Sequence, residues 1–274
     1  MIQVEHVHKN YGNTPIIKDV SLNIEKGKLT ALIGPNGAGK TTFLNMIGCL
    51  TPFDEGKIII DGVDTHHWNR NDLAKHLAIL KQKNSLNAQI TVRELFAFGR
   101  FPHMKGKIGP KCRELIKQSL KYLGMEEYEH TYLKDLSGGQ LQRAFIGMVL
   151  CQDTDYILLD EPLNNLDMKY SVQIMNILRN LVDEMGRTVV IVLHDINFAA
   201  AYADQIIAFK EGEKFIDDLS TSVIQKRVID ELFDMNVEVI EHNHQNYCLY
   251  YQDRKQFFVH SVQELNEFKK VVNQ

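Results

Sequence analysis

The chain carries, between two apolar runs, the segment Gly34-Pro35-Asn36-Gly37-Ala38-Gly39-Lys40-Thr41-Thr42. This segment has the required residue at every fixed position of the pattern G-x-x-x-x-G-K-[ST]. Residues 29–33 before it are apolar and predict a short buried strand, and residues 43–47 after it predict the first turns of a helix. Because the pattern binds phosphate when it joins a strand to a helix, the sequence predicts a P-loop.

The expected chemistry of this loop follows from its glycines and its lysine. Glycines let successive backbone N–H groups turn towards an anion, and the N-terminus of the following helix adds its positive dipole end. We expect Lys40 to reach the β- and γ-phosphates of a nucleotide, and the Thr41 hydroxyl to bind Mg²⁺. A chance glycine-rich turn is the alternative, which the strand and helix patterns on either side disfavour.

The composition is that of an ordinary globular protein. The chain has 274 residues, of which 44% are hydrophobic and 24% charged, enough for one large α/β domain or two modest ones. A net charge of −4 gives no sign of a nucleic-acid-binding surface. The four cysteines contain no C-x-x-C pair, so we expect small buried side chains in a reducing compartment: Cys49, Cys112, Cys151 and Cys248.

The sequence shows neither a secretory leader nor a membrane span. No basic stretch followed by an apolar core opens the chain, and no apolar run is long enough to cross a bilayer. We therefore expect a cytoplasmic protein whose role at a membrane, if it has one, depends on a partner.

Alternating and periodic apolar residues divide the remaining chain into strands and helices. In the first half, Thr91 and Glu94 form the pattern of a capping box for a helix that ends near Gly99. The other elements predicted there are strands 2–8, 20–24, 57–60 and 77–80, a short helix from 71, and an amphipathic helix 111–123. The second half is predicted to contain strands 156–159 and 189–193, helix 171–185, a hairpin at 205–216, helix 222–233, strands 237–240 and 247–251, and a final charged helix.

A second motif is the run Tyr156-Ile157-Leu158-Leu159-Asp160-Glu161-Pro162. An apolar strand that delivers an acid at its carboxyl end matches the Walker B arrangement, in which the aspartate helps to hold Mg²⁺. Open α/β sheets bind ligands at the carboxyl ends of their strands, so we expect Asp160 to lie beside the P-loop. Glu161 follows directly and is the candidate general base for an attacking water. Two acids that merely begin the next loop would be the alternative.

The run Leu136-Ser137-Gly138-Gly139-Gln140 precedes an apolar helix predicted at 141–151. Ser137 can cap that helix, and the two glycines allow the backbone to approach an anion closely. The motif is thus a candidate for a second phosphate site in a chain that has one P-loop. An ordinary helix cap is the alternative, which this motif by itself does not exclude.

Taken together, these motifs resemble the nucleotide-binding subunit of ATP-binding cassette (ABC) transporters. The resemblance rests on residues 34–42, Gln82, residues 136–140, residues 157–162, Leu166-Asp167 and His194, in the family's order. It implies a P-loop NTPase (RecA-like) α/β core with N-terminal antiparallel strands and a helical insertion that carries the signature motif. The implied domains are a cassette at 1–214, with the helical subdomain at about 84–152, and an α+β extension at 215–274 that packs on the cassette.

The family's site residues carry over by position, and the resemblance implies a head-to-tail homodimer that hydrolyses ATP with Mg²⁺. Each ATP would lie between the Walker motifs of one subunit and residues 137–140 of the other. The implied catalytic residues are Glu161, His194, Lys40 and Gln82. The implied Mg²⁺ ligands are Thr41, Gln82 and Asp160. The implied nucleotide contacts are Tyr11, stacked on adenine, and Gly34, Pro35, Asn36, Gly37, Ala38, Gly39, Lys40, Thr41, Thr42, Ser137, Gly138, Gly139, Gln140 and Asp167.

Two further stretches resemble the branch that drives uptake of iron–siderophore complexes and cobalamin. They are Gly99-Arg100-Phe101-Pro102-His103 and Asn164-Asn165-Leu166-Asp167, whose two asparagines stand where many members carry small residues. The resemblance implies integral membrane permease partners, an indirect extracytoplasmic binding protein, no nucleic acid, and a peripheral position on the cytoplasmic face of the membrane. Import of zinc, manganese, haem or cobalamin, an exporter, and a soluble ABC ATPase remain alternatives. The signature motif disfavours a P-loop kinase or GTPase, and the presence of Lys40 and Glu161 disfavours a non-catalytic regulatory binder.

Overall fold

A computed structural model describes residues 1–82, 89–104 and 108–250 of the chain. Its strands are β1 Ile2–Tyr11, β2 Thr14–Ile24, β3 Leu29–Ile33, β4 Glu55–Ile60, β5 Val63–Asp64, β6 Leu77–Leu80, β7 Tyr156–Leu159, β8 Thr188–Val192, β9 Gln205–Lys210, β10 Glu213–Leu219, β11 Glu238–His242 and β12 Gln245–Leu249. Its α-helices are α1 Lys40–Ile47, α2 Arg70–His76, α3 Val92–Gly99, α4 Pro110–Tyr122, α5 Gly138–Gln152, α6 Met168–Asp183, α7 Ile196–Tyr202, α8 Ser220–Val223 and α9 Lys226–Phe233.

The strands form a central sheet and two smaller antiparallel sheets. The central sheet has the order β10-β9-β3-β8-β7-β6, and the five strands from β9 to β6 are parallel. β10 pairs antiparallel with β9 at one edge. The N-terminal sheet has the order β2-β1-β4-β5, and β11 pairs with β12 near the end of the described chain.

Both faces of the central sheet are covered, which explains why its inner strands β3, β8 and β7 are largely apolar and fully buried. Side chains of β3 alternate between two hydrophobic cores: Ala31 faces one core and Leu32 the other. On β8, Val189 and Val190 divide in the same way. The core that contains Leu32 lies between the central sheet and the N-terminal strands, and the other extends into the helical region around α3, α4 and α5.

The parallel arrangement sets the position of the site. The carboxyl ends of β3, β6, β7 and β8 point to one edge of the sheet, because these neighbouring strands run in the same direction. The segments that follow these four ends are the P-loop, Gln82, Asp160-Glu161 and His194. Residues up to 160 positions apart in the chain's numbering thus meet at one edge.

Most predicted elements are confirmed, and several bounds change. The strands at 2–8, 57–60, 77–80 and 156–159, the capping box at Thr91 and the helix at 111–123 are all present within a few residues. α6 begins at Met168 rather than 171, and the predicted helix 222–233 is two helices, α8 and α9. The final charged helix and residue 251 of the last predicted strand lie outside the described residues.

Three findings depart from the sequence analysis. Helix α7 was not predicted at all. Cys49 is exposed, because it follows the C-terminal end of α1 in a left-handed turn conformation, whereas Cys112, Cys151 and Cys248 are buried as expected. β10 stays in the central sheet to Leu219, so that strand crosses the predicted boundary at residue 214. The division into domains stays a prediction.

The described part of the C-terminal region packs on the rest of the chain through α7. The side-chain amide of Asn197 bonds the backbone of β12 twice: Nδ2 donates to the Cys248 carbonyl at 3.1 Å, and Oδ1 accepts from the Cys248 N–H at 2.8 Å. Among the described residues, no helix combines the length and the apolar character that a bilayer span requires.

Candidate active site

The P-loop needs glycine at its first position for a steric reason. Gly34 has a φ of 139°, and a Cβ built on it would lie 2.1 Å from the carbonyl oxygen of Phe209 on β9. The loop leads directly into α1, whose first residue is Lys40. Free backbone N–H groups at the start of this helix are suited to hold an anion.

Lys40 lies inside the loop rather than in solvent. Its side chain is buried, and its Nζ donates to the carbonyls of Gly34 and Pro35, both at 2.8 Å. Burial lowers the pKa of Lys40, while the negative charges of Glu161 and Asp160 act in the opposite direction. The ammonium group is therefore held at the loop, within the electrostatic reach of both carboxylates.

Asp160 and Thr41 form the next part of the cluster. Asp160 is 3% exposed, and the Thr41 hydroxyl donates to its Oδ1 at 2.8 Å. Burial raises the pKa of Asp160; the hydrogen bond from Thr41 opposes this, and the nearby charge of Glu161 adds to it. Two oxygens of the kind that Mg²⁺ prefers thus lie side by side, and residues of this type fit that ion.

Glu161 is the centre of the arrangement, and donors from three segments converge on its carboxylate. Gln82 donates from its Nε2 to Oε2 at 2.5 Å, and Asn164 donates from its Nδ2 to the same oxygen at 2.5 Å. His194 places its Nε2 at 2.7 Å from Oε1. The carboxylate therefore has a defined orientation before any ligand is considered.

The signature motif begins α5 as predicted. Ser137 accepts from the Gln140 backbone N–H through Oγ, and the Gln140 side chain accepts from the Ser137 N–H, which together form a capping box. A Cβ on Gly139 would lie 2.6 Å from the Tyr170 ring, so the helix start packs tightly on α6. On the same ring, the guanidinium of Arg143 lies 5.5 Å from the centroid.

Asp167 and Tyr11 lie outside the hydrogen-bonded cluster around Glu161. Asp167 caps α6, because its side chain accepts from the backbone N–H of Tyr170 at 2.9 Å. Tyr11 ends β1 with 54% of its surface exposed, and Lys9 Nζ lies 5.7 Å from its ring centroid. The described hydrogen bonds do not link Asp167, Tyr11 or the Ser137 cap to the Glu161 cluster, so their assignment to nucleotide binding stays a prediction.

The sequence analysis missed one member of the cluster. Asn164 was noted as a departure from the family pattern and as part of a stretch that resembles the siderophore and cobalamin branch, but not as a site residue, yet its side chain bonds Glu161. A polar amide three residues after an acid in a predicted turn is a signal that could have suggested this bond, since such side chains bond locally in turns.

Comparison with known proteins identifies relatives of this chain. A family model described as ABC transporter matches residues 17–164. The chain is 45% identical over 251 residues, 92% of its length, to the petrobactin import ATP-binding protein YclP of Bacillus subtilis (strain 168), which is covered completely. It is 32% identical over 239 residues to the ferric enterobactin transport ATP-binding protein FepC of Escherichia coli (strain K12), covering 86% of this chain and 88% of that one.

Solved structures resemble the fold at similar coverage. A dimeric structure of MJ0796, described as a bacterial ABC transporter cassette, superposes with a TM-score of 0.72 at 33% identity, over 80% of this chain and 99% of that one. An inward-facing putative metal-chelate type ABC transporter gives a TM-score of 0.80 over 94% of this chain and 99% of that one; at 21% identity it bears on the fold alone. The predicted P-loop NTPase fold class is confirmed.

Proposed function

The chain belongs to the ABC transporter family of ATP-binding proteins, and we propose that it powers an importer of iron–siderophore complexes. Its activity is ATP hydrolysis. The observation that carries the proposed site is the convergence of Gln82, Asn164 and His194 on the Glu161 carboxylate beside a complete P-loop. A site built in this way would provide a base, a phosphate cradle and a place for a cation at one sheet edge.

The proposed reaction is in-line attack of water on the γ-phosphorus of ATP. Glu161 accepts a proton from that water, while Lys40 and the N–H groups at the start of α1 stabilise the charge that spreads over the phosphate oxygens. Thr41 and Asp160 would hold Mg²⁺, with Gln82 as a further oxygen ligand; the ion would neutralise phosphate charge. His194, whose Nε2 lies 2.7 Å from Glu161 Oε1, would contact the γ-phosphate.

The signature motif supports a dimer with two composite sites. Ser137 and Gln140 form the capping box of α5, and the described bonds do not join them to the chain's own P-loop. A second copy placed head to tail would bring each signature motif to the other copy's ATP. MJ0796, which is 33% identical, has been solved as a dimer.

We propose that a membrane permease binds near α2, α3 and the turn after α3. Phe98 and Phe101 present 53% and 73% of their surface to solvent there. A cleft of about 540 Å³, lined in part by Trp68 and Leu77, lies beside α2. Gln152 connects this cleft to the turn after α3, because its Nε2 donates to the Leu77 carbonyl and its own carbonyl bonds His103. The protein would then sit on the cytoplasmic face of the membrane.

The cargo is proposed from the relatives. YclP and FatE, the latter from Bacillus anthracis and 44% identical over 88% of this chain, are both described as petrobactin import proteins. FepC is described as a ferric enterobactin transport protein. Since a separate binding protein and the permease select the cargo in such importers, the class of cargo is proposed here as ferric siderophore complexes, with petrobactin as the first to test.

Uptake of radioactive iron as ferric petrobactin tests this proposal. Cells that lack the protein are expected to recover uptake with the wild-type chain and with Glu184→Gln, a matched change at an exposed glutamate, but not with Glu161→Gln. Equal uptake with Glu161→Gln would refute the assignment of the base. Failure of the wild-type chain to restore uptake would refute the cargo.

Co-purification separates transport from a soluble role. The tagged full chain is expected to bring down a polytopic membrane protein from its native cells in mild detergent, and Phe101→Ser is expected to lose it while keeping ATP binding. Recovery of soluble partners or nucleic acid, with no membrane protein, would favour the soluble ABC alternative.

A further inference from the structure

Asn164 closes a turn on Glu161 with two hydrogen bonds. Its side-chain Nδ2 donates to Glu161 Oε2 at 2.5 Å, and its backbone N–H donates to the Glu161 carbonyl at 3.3 Å. Gln82 and His194 reach the same carboxylate from the ends of other strands, whereas Asn164 belongs to the loop that Glu161 itself begins. The loop and the carboxylate are thus tied together.

The backbone at Glu161 needs such support. Its φ is 51°, in the left-handed region that a residue with a Cβ adopts at a cost. Unfavourable backbone conformations of this kind persist where surrounding contacts impose them, and they occur at active sites. The two hydrogen bonds from Asn164 are contacts of this kind, because they hold both the carbonyl and the carboxylate of Glu161 in one turn.

The distribution of donors also decides which carboxylate oxygen is available. An ionised carboxylate has about four acceptor positions, two on each oxygen. Gln82 and Asn164 together occupy both positions of Oε2, and His194 occupies one position of Oε1. The position that remains is on Oε1. An attacking water can therefore give its proton to that oxygen while the carboxylate stays in place.

We propose that Asn164 is a positioning residue for hydrolysis: it fixes the Glu161 carboxylate so that Oε1 accepts the proton of the attacking water. In the step that it serves, the water oxygen bonds the γ-phosphorus and the bond from that phosphorus to the β–γ bridging oxygen breaks. The proton of the water passes to Glu161, and the products are ADP and phosphate. The inference rests on the proposed role of Glu161 as base.

Three substitutions separate positioning from a general effect on the loop. Asn164→Asp keeps the shape of the side chain, removes the donor and adds a negative charge next to Glu161. Asn164→Ala removes the bond without a new charge. Asn164→Ser keeps a shorter hydroxyl donor and is the conservative variant. Asn176→Asp, at an exposed position of α6, makes the same charge change away from the site.

Steady-state ATP hydrolysis by the full chain with Mg²⁺ is the measurement. We expect kcat to fall about tenfold in Asn164→Ala and more in Asn164→Asp, with KM for ATP within about twofold of wild type. Asn164→Ser should recover most of kcat, and Asn176→Asp should match wild type. A raised KM with normal kcat, or normal kcat in both Asn164→Ala and Asn164→Asp, would overturn the inference.

A double substitution tests whether Asn164 acts through Glu161. In a Glu161→Gln background, followed by single turnover over hours, adding Asn164→Ala should cause no further loss. A further tenfold loss there would overturn the inference and leave Glu161 as base. A wild-type chain that hydrolyses no ATP would instead defeat the proposed function together with the inference.

Discussion

The two ends of strand β7 carry carboxylates with opposite surroundings. At its start, the Tyr156 hydroxyl donates to Asp61 Oδ1 at 2.6 Å, and Lys26 Nζ lies 3.0 Å from Asp61 Oδ2. The amine of Met1 also donates to Asp61, at 2.7 Å. Just past the other end, Asp160 is buried and accepts from the Thr41 hydroxyl. Two cations of the chain and a tyrosine hydroxyl bond the first carboxylate, whereas the second is paired with a neutral hydroxyl.

The pKa values respond in opposite directions. Burial acts to raise the pKa of Asp61, but the hydrogen bonds from the Met1 amine, Tyr156 and Lys26 lower it to about 2. Burial raises the pKa of Asp160, and neither Thr41 nor the charge of Lys40 reverses that shift. Asp61, whose charge is compensated by cations of the chain, therefore contributes to the stability of the fold. A buried carboxylate without such compensation leaves a place for a cation from outside, here the proposed Mg²⁺.

The largest expected effect is at the active-site end of β7. Glu161→Gln should lower kcat by about 100- to 10,000-fold, because the amide cannot accept the proton of the attacking water. Binding of ATP should persist, and the chain should accumulate as an ATP-bound dimer. Hydrolysis assays and size-exclusion chromatography with ATP measure the two results. A wild-type rate in this variant would remove Glu161 from the catalytic role.

Asp160→Asn is expected to lower activity without lowering stability. It should lower kcat by roughly 100-fold and weaken the dependence on Mg²⁺ concentration, since a charged ligand is lost. The free energy of unfolding should not fall, because a buried charge is removed while the contact with Thr41 can remain. Urea denaturation beside ATPase assays checks both. Lost stability with retained activity would show that the two ends of β7 do not differ as described.

Asp61→Asn should give the converse result. Removal of the charge weakens the bonds from Lys26 and the Met1 amine, and we expect the free energy of unfolding to fall by about 1–2 kcal/mol. The kcat for ATP should stay within about twofold of wild type. Asp72→Asn, which breaks an exposed ion pair with Lys75 on α2, is the matched control and should change stability little. A large loss of kcat in Asp61→Asn would contradict the assignment of Asp61 to the stability of the fold.

The smallest expected effect is a pH dependence. The pKa of Asp61 is about 2 in the folded chain, against about 3.9 for an unfolded aspartate. Its stabilisation is therefore fully present above the unfolded pKa and is lost as pH falls through the folded pKa. The difference in unfolding free energy between wild type and Asp61→Asn should shrink by about half between about pH 5 and about pH 3. A constant difference would contradict the ion-pair assignment.

Local patterns were sufficient for most elements and for the motifs. β3 has the bounds that its apolar run predicts, and the capping box at Thr91 begins α3 as its two residues require. Helix α7 was missed because it has seven residues, too few for a helical period to stand out after an apolar strand. Its N-cap Asp195, which accepts from two backbone N–H groups, was the available local signal.

Patterns among neighbouring residues were enough to predict the P-loop, the acid pair after β7, the cap that begins α5 and most of the strands and helices, because each depends on residues a few positions apart. Tertiary contacts were needed to show that Gln82, Asn164 and His194 meet on one carboxylate. They also show that two cations and a tyrosine hydroxyl bond Asp61, whereas a threonine hydroxyl bonds Asp160. The physical reason is distance along the chain. Hydrogen bonds, burial and charge act through space, and parallel strand pairing places residues from distant segments at one edge of the sheet.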